Sequence, residues 1–311
     1  MAAENVMRRA TPLTATALAL MALPGAASAD GYGAAPTLSP PQGGLVPTVD
    51  IATVAGWAAD ETPAPAAGFS VERFADGLDH PRWLYVLPNG DVLVAETNAP
   101  PKETTGIKSF VMQQVQKVAG AGTPSANRIT LLRDGDGDGR AETRSVFLEN
   151  LFSPFGMALV GGDLYVANAD AVMRFPYEPG QQRITAQGVQ PPRSDLVEKA
   201  VAPDYALGSH TASLGLAFYD GTASPERYRG GAFVGQHGSW NRSEPVGYKV
   251  VFVPFADGRR AGPPEGVLTG FLNADGQARG RPVGVVVDAK GGLLVADDVG
   301  NVIWWVTANR D

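Results

Sequence analysis

The stretch PRWLYVLPNGDVLVAE at 81–96 consists of two short apolar strands joined by a glycine turn, and its second strand ends in a polar residue. Similar phrases follow as PFGMALVGGDLYVAN at 154–168, LGLAFYDG and GGAFVGQ within 214–236, and RPVGVVVDAKGGLLVAD at 281–297. Strand repeats at such long intervals, with no helix between the strands, predict the blades of a β-propeller. The sequence therefore predicts an all-β propeller in which about four blades are recognisable.

Composition supports one large domain rich in turns. The chain has 311 residues, 38 of them glycine and 25 proline, yet 44% are apolar, which separates it from disordered chains. The net charge is −7 and basic residues form no stripe, which argues against nucleic acid as a partner. The chain has no cysteine, so thiol chemistry and disulfides are excluded.

The first residues have the pattern of an export signal. Arg8 and Arg9 precede an apolar run at 13–23, and Ala27-Ser28-Ala29 forms a cleavage site. The pattern predicts a signal peptide over 1–29 and a periplasmic or secreted protein without a transmembrane segment after cleavage. A retained N-terminal anchor is the alternative.

A lead-in rich in Pro, Gly and Ala is expected over 30–67, and the propeller over 68–311. The alternating segment SVERFA at 70–75 predicts a strand that completes the last blade by pairing with NVIWWVT at 301–307. Apolar spacing in IKSFVMQQVQKV predicts a helix over 107–118, carried on a loop outside the first blade.

An acidic loop between two predicted strands has the beginning of a calcium-binding pattern. Its carboxylates belong to Asp134, Asp136, Asp138 and Glu142. Alternating carboxylates around glycine turns can converge on one hard cation, and the expected ligand at the twelfth position is replaced by Ser145. A plain acidic hairpin turn is the alternative, and a structural role is favoured over a catalytic one.

Polar and aromatic residues next to the repeated strands are the candidates for a ligand site. His80 precedes the first repeat, His210 precedes the third, and His237 follows a strand of the third. Loop residues at strand ends are where propellers bind ligands, so we expect a site there. Further candidates on these segments are Trp240, Arg242, Lys249 and Arg281.

Several phrases together resemble the sorbosone dehydrogenase group, which is related to soluble sugar dehydrogenases that depend on pyrroloquinoline quinone (PQQ). They are GLDHPRWLYVLPNGDVLVAE, NRITLLRDGDGDGRAET, PDYALGSHTASLGLAFYDG, GQHGSWNR and GRPVGVVVD. The resemblance implies a periplasmic six-bladed propeller that binds PQQ and calcium and oxidises an aldose or aldehyde hydrate. It also implies a soluble or membrane-bound electron acceptor.

The resemblance assigns cofactor contacts to His210, His237, Trp240, Arg242 and Arg281. Lys249, in a predicted strand of the third repeat, is a further candidate for binding the cofactor. The segment that carries the catalytic base in the family is missing after Gln190, together with about two blades. The catalytic residue is therefore unknown, with His210 and His237 as candidates.

Two other functions stay open from the sequence. One is a propeller that binds ligands or partners without catalysis. The other is a calcium-dependent hydrolase of the lactonase type, whose metal would be held by Glu96, Asn168 and Asp297 at the ends of three repeated strands.

Overall fold

The computed structural model describes residues 32–33, 51–100, 107–185, 205–240 and 242–309. The predicted signal peptide and half of the lead-in lie outside these residues. The elements, in chain order, are β1 (Tyr32–Gly33), β2 (Ala64–Pro65), β3 (Phe69–Ala75), β4 (Pro81–Val86), β5 (Val92–Glu96), α1 (Ile107–Val118), β6 (Arg128–Arg133), β7 (Thr143–Leu148), β8 (Met157–Val160), β9 (Asp163–Ala167), β10 (Val172–Pro176), β11 (Ala206–Leu207), β12 (Ser213–Tyr219), a 3₁₀ turn (Glu226–Tyr228), β13 (Gly231–Gln236), β14 (Lys249–Val253), β15 (Phe255–Ala256), β16 (Arg259–Arg260), β17 (Glu265–Thr269), β18 (Pro282–Val287), β19 (Leu293–Asp297) and β20 (Val302–Ala308).

Four antiparallel sheets form the blades, which confirms the predicted propeller. Blade 1 has the strand order β4-β5-β6-β7, and blade 2 has β8-β9-β10 in the described part of the chain. Blade 3 has the order β12-β13-β14-β17-β2, and blade 4 has β18-β19-β20-β3. Each repeated phrase supplies the first two strands of one blade, so the repeat in the sequence is the repeat in the fold.

The last blade is completed by the first long strand of the domain, as the alternating pattern predicts. β3 pairs with β20, for example through Val71 opposite Val306. The predicted helix is also present as α1. Within the described residues, no helix is long and apolar enough to cross a membrane.

The hydrophobic core lies between the faces of adjacent blades. Its largest cluster joins blades 3 and 4 around Trp304 and Phe252, and another joins blades 1 and 2 around Phe147 and Val166. The second strands of blades 1 and 4 are buried on both faces, because each of these two blades lies between two neighbours. Such packing fixes the relative positions of the strand ends.

The four inner strands lie side by side in the order β12, β18, β4 and β8. Glycines allow the close approach: a Cβ on Gly215 would lie 2.2 Å from the carbonyl oxygen of Val283. The opposite face of β12 is exposed at Leu214, Leu216 and Phe218. Blade 3 therefore contacts blade 4 closely on one face and presents an apolar row on the other.

Candidate functional site

The inner strands of the blades begin, and the second strands end, at one end of the propeller, the mouth. The pairs Pro81–Glu96, Ser213–Gln236 and Pro282–Asp297 mark this end in blades 1, 3 and 4. Each of these three inner strands has a register shift at its first residues. Such bulges redirect side chains near functional sites. In blade 1 the residue without a ladder partner is Arg82.

A fully buried carboxylate, Asp298, lies at this mouth with three nitrogen groups around it. His237 Nε2 is 3.1 Å from both carboxylate oxygens. His80 Nε2 is 3.4 Å and Arg82 Nε is 3.6 Å from Oδ2. These residues come from blades 4, 3 and 1, so the fold assembles a charged cluster that no single repeat contains.

The electrostatics of the cluster fix the charge of Asp298. Burial alone would raise the pKa of Asp298, but the facing His237, and then His80 and Arg82, lower that pKa far below its ordinary value. Burial lowers the pKa of His80, with Asp298 opposing that shift. Asp298 is therefore an anion at neutral pH and accepts hydrogen bonds only.

Because Asp298 only accepts, Nε2 of His237 must carry the proton between them. The ring of His237 then has Nδ1 as its basic atom. The arrangement of an imidazole oriented by a buried carboxylate is one that proteins use for general base catalysis.

The backbone around His237 is held rigidly. His237 N donates to Ala212 O at 2.9 Å. Gly238 has a φ of +102°, and a Cβ there would lie 2.4 Å from the Tyr248 ring. Arg281 Nη1 approaches the His237 carbonyl oxygen at 3.5 Å from below. The imidazole is thus presented by a loop with little freedom to move.

The structure places Arg281 beneath the mouth. Its side chain is fully buried, its guanidinium stacks on Tyr248 at 4.7 Å, and Nη2 lies 3.4 Å from Ala52 O. Arg281 N donates to Asp297 Oδ1 at 2.7 Å. In this structure Arg281 supports the mouth from within the protein.

A cavity of about 450 Å³ opens beside the cluster, between blades 1 and 2. Arg82 belongs both to its wall and to the Asp298 cluster. Other lining residues are Thr97, Asn98, Ser153, Phe155 and Asn168. The guanidinium of Arg82 lies over the Phe155 ring at 5.7 Å, which places a cation at the point where cavity and cluster meet.

The other residues singled out in the sequence lie around blade 3. His210 is exposed, with a left-handed φ of +63°. Trp240 and Lys249 are half-buried, as is Arg242, whose Nη1 contacts Ser209 Oγ at 3.4 Å. Of the three histidines, only His80 and His237 are brought to Asp298.

The polar residues that end the repeated strands serve separate networks. Glu96 is fully buried and bonded to Arg128, with Nε at 3.0 Å and Nη2 at 2.8 Å. Asp297 accepts from the indole nitrogens of Trp57 and Trp304 at 2.7 and 3.2 Å. Burial raises the pKa of Asp297, and these donors oppose the shift. Glu96 and Asp297 therefore have protein partners in place of a shared cation.

The acidic loop lies between β6 and β7, at the opposite end of blade 1 from the mouth. One oxygen from each of Asp134, Asp136, Asp138 and Glu142 lies within 4.8 Å of the others. Asp134 is also bonded to Lys290 Nζ of blade 4 at 2.9 Å. Burial alone would raise the pKa of Asp134, but hydrogen bonds from Lys290 and from the loop amides lower it.

Sequence reasoning missed Asp298 and Arg82, although Arg82 stands in the first repeated phrase and Asp298 directly follows the last. Asp298 is adjacent to Asp297, and successive side chains at a strand end point to opposite sides. This alternation could have identified Asp298: if the Asp297 side chain faces the blade interior, the Asp298 side chain faces the mouth. Arg82 occupies the bulge position, which no spacing rule reveals.

Comparison with known sequences finds two families, each over part of the chain. Residues 194–309 match the TrAA12-like family, and residues 66–176 match a domain of unknown function, DUF7133. An uncharacterized protein of Borreliella burgdorferi is 40% identical over 109 residues, which are 35% of this chain and 29% of that protein. The match thus spans under a third of that relative.

Solved structures show the same fold at low identity. A Trichoderma reesei enzyme of carbohydrate-active family AA12 superposes with a TM-score of 0.53 at 13% identity, over 79% of this chain and 98% of that one. The PQQ domain of Coprinopsis cinerea pyranose dehydrogenase, in its holo form, superposes with a TM-score of 0.52 at 14% identity, over 83% and 100%. At these identities the likeness shows the propeller fold.

Proposed function

We propose that this chain is a quinone-dependent dehydrogenase that oxidises an aldose or aldehyde hydrate, with His237 as its general base. The observation that carries the proposal is the bond of His237 Nε2 to both oxygens of buried Asp298 at the mouth of a propeller. The family resemblance and the fold of the PQQ domain supply the reaction class.

The chain's own part in the reaction is to take a proton and to hold the reactants. His237 Nδ1 removes the proton of the substrate hydroxyl, and Asp298 stabilises the imidazolium that forms. The C–H bond of the same carbon breaks as its C=O bond forms, so an aldose leaves as a lactone. PQQ bound at the mouth would supply the acceptor for that hydride, and a soluble or membrane-bound electron acceptor would complete the turnover.

The residues at the mouth fit a planar, anionic cofactor. Arg82 Nε faces Asp298 Oδ2 at 3.6 Å, and about one-fifth of the Arg82 side chain is exposed. Lys249 and Arg242 add cations on blade 3, and Trp240 adds an aromatic surface. Guanidinium and ammonium groups bind carboxylates strongly where water is excluded. These four residues would hold PQQ, with Arg281 supporting the loop from below.

Calcium is proposed for the acidic loop as a structural ion. The oxygens of Asp134, Asp136, Asp138 and Glu142 converge, and oxygen ligands suit this cation. Because the acidic loop lies at the opposite end of blade 1 from the mouth, we assign the calcium ion a role in stability. We also propose that the protein is exported, because the N-terminal pattern around Arg8 and Arg9 is that of a signal peptide.

The test is dye reduction by the exported chain, reconstituted with PQQ and calcium, in the presence of an aldose. Wild type should turn over, and His237→Gln should bind PQQ but lose activity by about 10²–10⁴-fold, the usual contribution of a general base. His210→Ala serves as the comparison variant, since its side chain is exposed, and it should keep its activity.

Loss of activity in His210→Ala with activity retained in His237→Gln would contradict the assignment of the base. PQQ binding without turnover in wild type would favour a propeller that only binds. Metal-dependent lactone hydrolysis without PQQ would favour the hydrolase, whose ligands Glu96 and Asp297 are here bonded to Arg128 and Trp57.

A further inference from the structure

His80 is a buried titratable residue at the mouth to which the proposed reaction assigns no part. It is 5% exposed, and its φ of +55° lies in the left-handed region, which residues with a side chain seldom adopt. Two hydrogen bonds hold the backbone there: His80 N donates to Asn301 Oδ1 at 3.0 Å, and Thr97 N donates to His80 O at 3.1 Å. Backbone strain persists where the surroundings fix it, and it is concentrated at functional sites. The conformation therefore points to a task for the imidazole.

The imidazole of His80 faces Asp298. In the part of the chain that the structure describes, His80 Nε2 is buried without a regular hydrogen bond, and Asp298 Oδ2 lies 3.4 Å away. Arg82 Nε faces the same oxygen at 3.6 Å. His237 Nε2, in contrast, lies 3.1 Å from both carboxylate oxygens. Buried polar atoms nearly always have a partner, and Asp298 Oδ2 is the partner that the geometry offers to His80.

The charges of the cluster let His80 bond Asp298 without adding a cation beside the base. Burial lowers the pKa of His80, and the charge of Asp298 opposes that shift only in part. Arg82 and His237 are the other groups that face the ring, and both lower its pKa further. His80 is thus neutral at neutral pH, and it bonds the anionic Asp298 with a proton on Nε2. A second imidazolium would make His237 a weaker base, and a neutral ring avoids this repulsion.

We infer that His80 is a positioning residue for the general base. Together with Arg82, it holds Oδ2 of Asp298, so the plane of the carboxylate is fixed. The His237 ring, which donates to that carboxylate, then keeps Nδ1 directed at the substrate hydroxyl. This inference rests on the proposed function for the role of His237. The contact between His80 and Asp298 requires neither cofactor nor substrate.

Two substitutions of His80 separate the hydrogen bond from the fold. His80→Gln places its amide nitrogen near the position of ring Nε2 and keeps a donor for Asp298. His80→Asn has a shorter side chain that ends near the position of ring Nδ1, so the donor is lost. Asparagine also tolerates a left-handed φ better than most residues, so the backbone at this position is kept.

The first readout is nitrogen NMR of the full chain without PQQ, produced with labelled histidine and without a histidine tag. The chain has only three histidines, and the exposed His210 is the internal reference for an imidazole in water. In wild type and in His80→Gln, the His237 ring should be a single tautomer protonated at Nε2. In His80→Asn, it should be a mixture of the two tautomers, because the carboxylate is free to turn.

The second readout is the single-turnover rate of quinone reduction by an aldose, at equal PQQ occupancy. His80→Asn should be slower by about 10–100-fold, because a small misplacement of a catalytic group has effects of this size. Its apparent affinity for the aldose should not change, since His80 does not contact the substrate. His80→Gln should keep most of the wild-type rate.

An unchanged His237 signal in His80→Asn, or equal losses in the Gln and Asn variants, would overturn the positioning role. Dye reduction by wild type together with the full wild-type rate in His80→Asn would refute the positioning role alone. The tautomer difference without any dye reduction by wild type would refute the dehydrogenase alone.

Discussion

Replacement of Asp298 by asparagine tests the cluster that organises the mouth. Asp298 is fully buried and lies within 3.6 Å of three nitrogen groups, so asparagine removes the charge that they face. Breaking a buried charge cluster costs about 3–5 kcal/mol, and asparagine keeps one acceptor, so we expect about 3 kcal/mol. At about 2–4 °C per kcal/mol, thermal unfolding at pH 7 should shift down by about 6–12 °C.

The matched control is Asp163→Asn. Asp163 pairs with Arg174 at 3.8 Å on the surface of blade 2, where both side chains are partly exposed. A surface pair of this kind contributes about 0–1 kcal/mol, so the midpoint should move little. Equal shifts in the two variants, measured by circular dichroism, would refute the reasoning.

The stabilisation by Asp298 also has a defined pH range. Its pKa is lowered in the folded protein, so the unfolded chain binds the proton more readily. The stability contributed by Asp298 is present above the unfolded pKa of about 3.9 and is lost as the pH falls below it. The difference between wild type and Asp298→Asn should therefore shrink as the pH falls below about 4.

Three further predictions concern other parts of the chain. Gly139→Ala should lower the free energy of unfolding, measured in urea, by about 3–5 kcal/mol, because a Cβ there would lie 2.0 Å from the Trp305 ring. The control Gly161→Ala, where a Cβ has free space, should lower it by only about 1 kcal/mol through backbone strain. Calcium at a hundred times its Kd should stabilise wild type by about 2.7 kcal/mol and Asp136→Asn much less, in thermal melts against a chelator. Because burial lowers the pKa of His80, wild type should lose stability as the pH falls through about 6.5, and a parallel curve in His80→Gln would contradict this.

The fold could be predicted from the sequence because most strands of a blade come from one continuous stretch of the chain. The turn in PNGD and its copies joins strands that are neighbours in both sequence and space, so alternation and glycine positions suffice. The closing pair of β3 and β20 is distant in sequence, but each strand has its own strong pattern. The helix α1 was found for the same reason.

The candidate site could be predicted only in part, because its residues come from different blades. His237 was predicted as a candidate, but its partner Asp298 comes from 61 residues further along the chain. Glu96 and Asp297 look alike in the repeats, yet one is bonded to an arginine and the other to two indoles. Which strand-end side chain faces the mouth depends on contacts between blades, and a local pattern carries no such information.

The central claim is that His237 removes the substrate proton, and a single-turnover experiment tests it most directly. Protein saturated with PQQ is mixed with excess aldose, and reduction of the quinone is followed by absorbance in wild type and His237→Gln. The account predicts rapid reduction in wild type and a rate lower by about 10²-fold or more in the variant, at equal PQQ occupancy. Equal rates in the two proteins, or no reduction in wild type with PQQ bound, would contradict it.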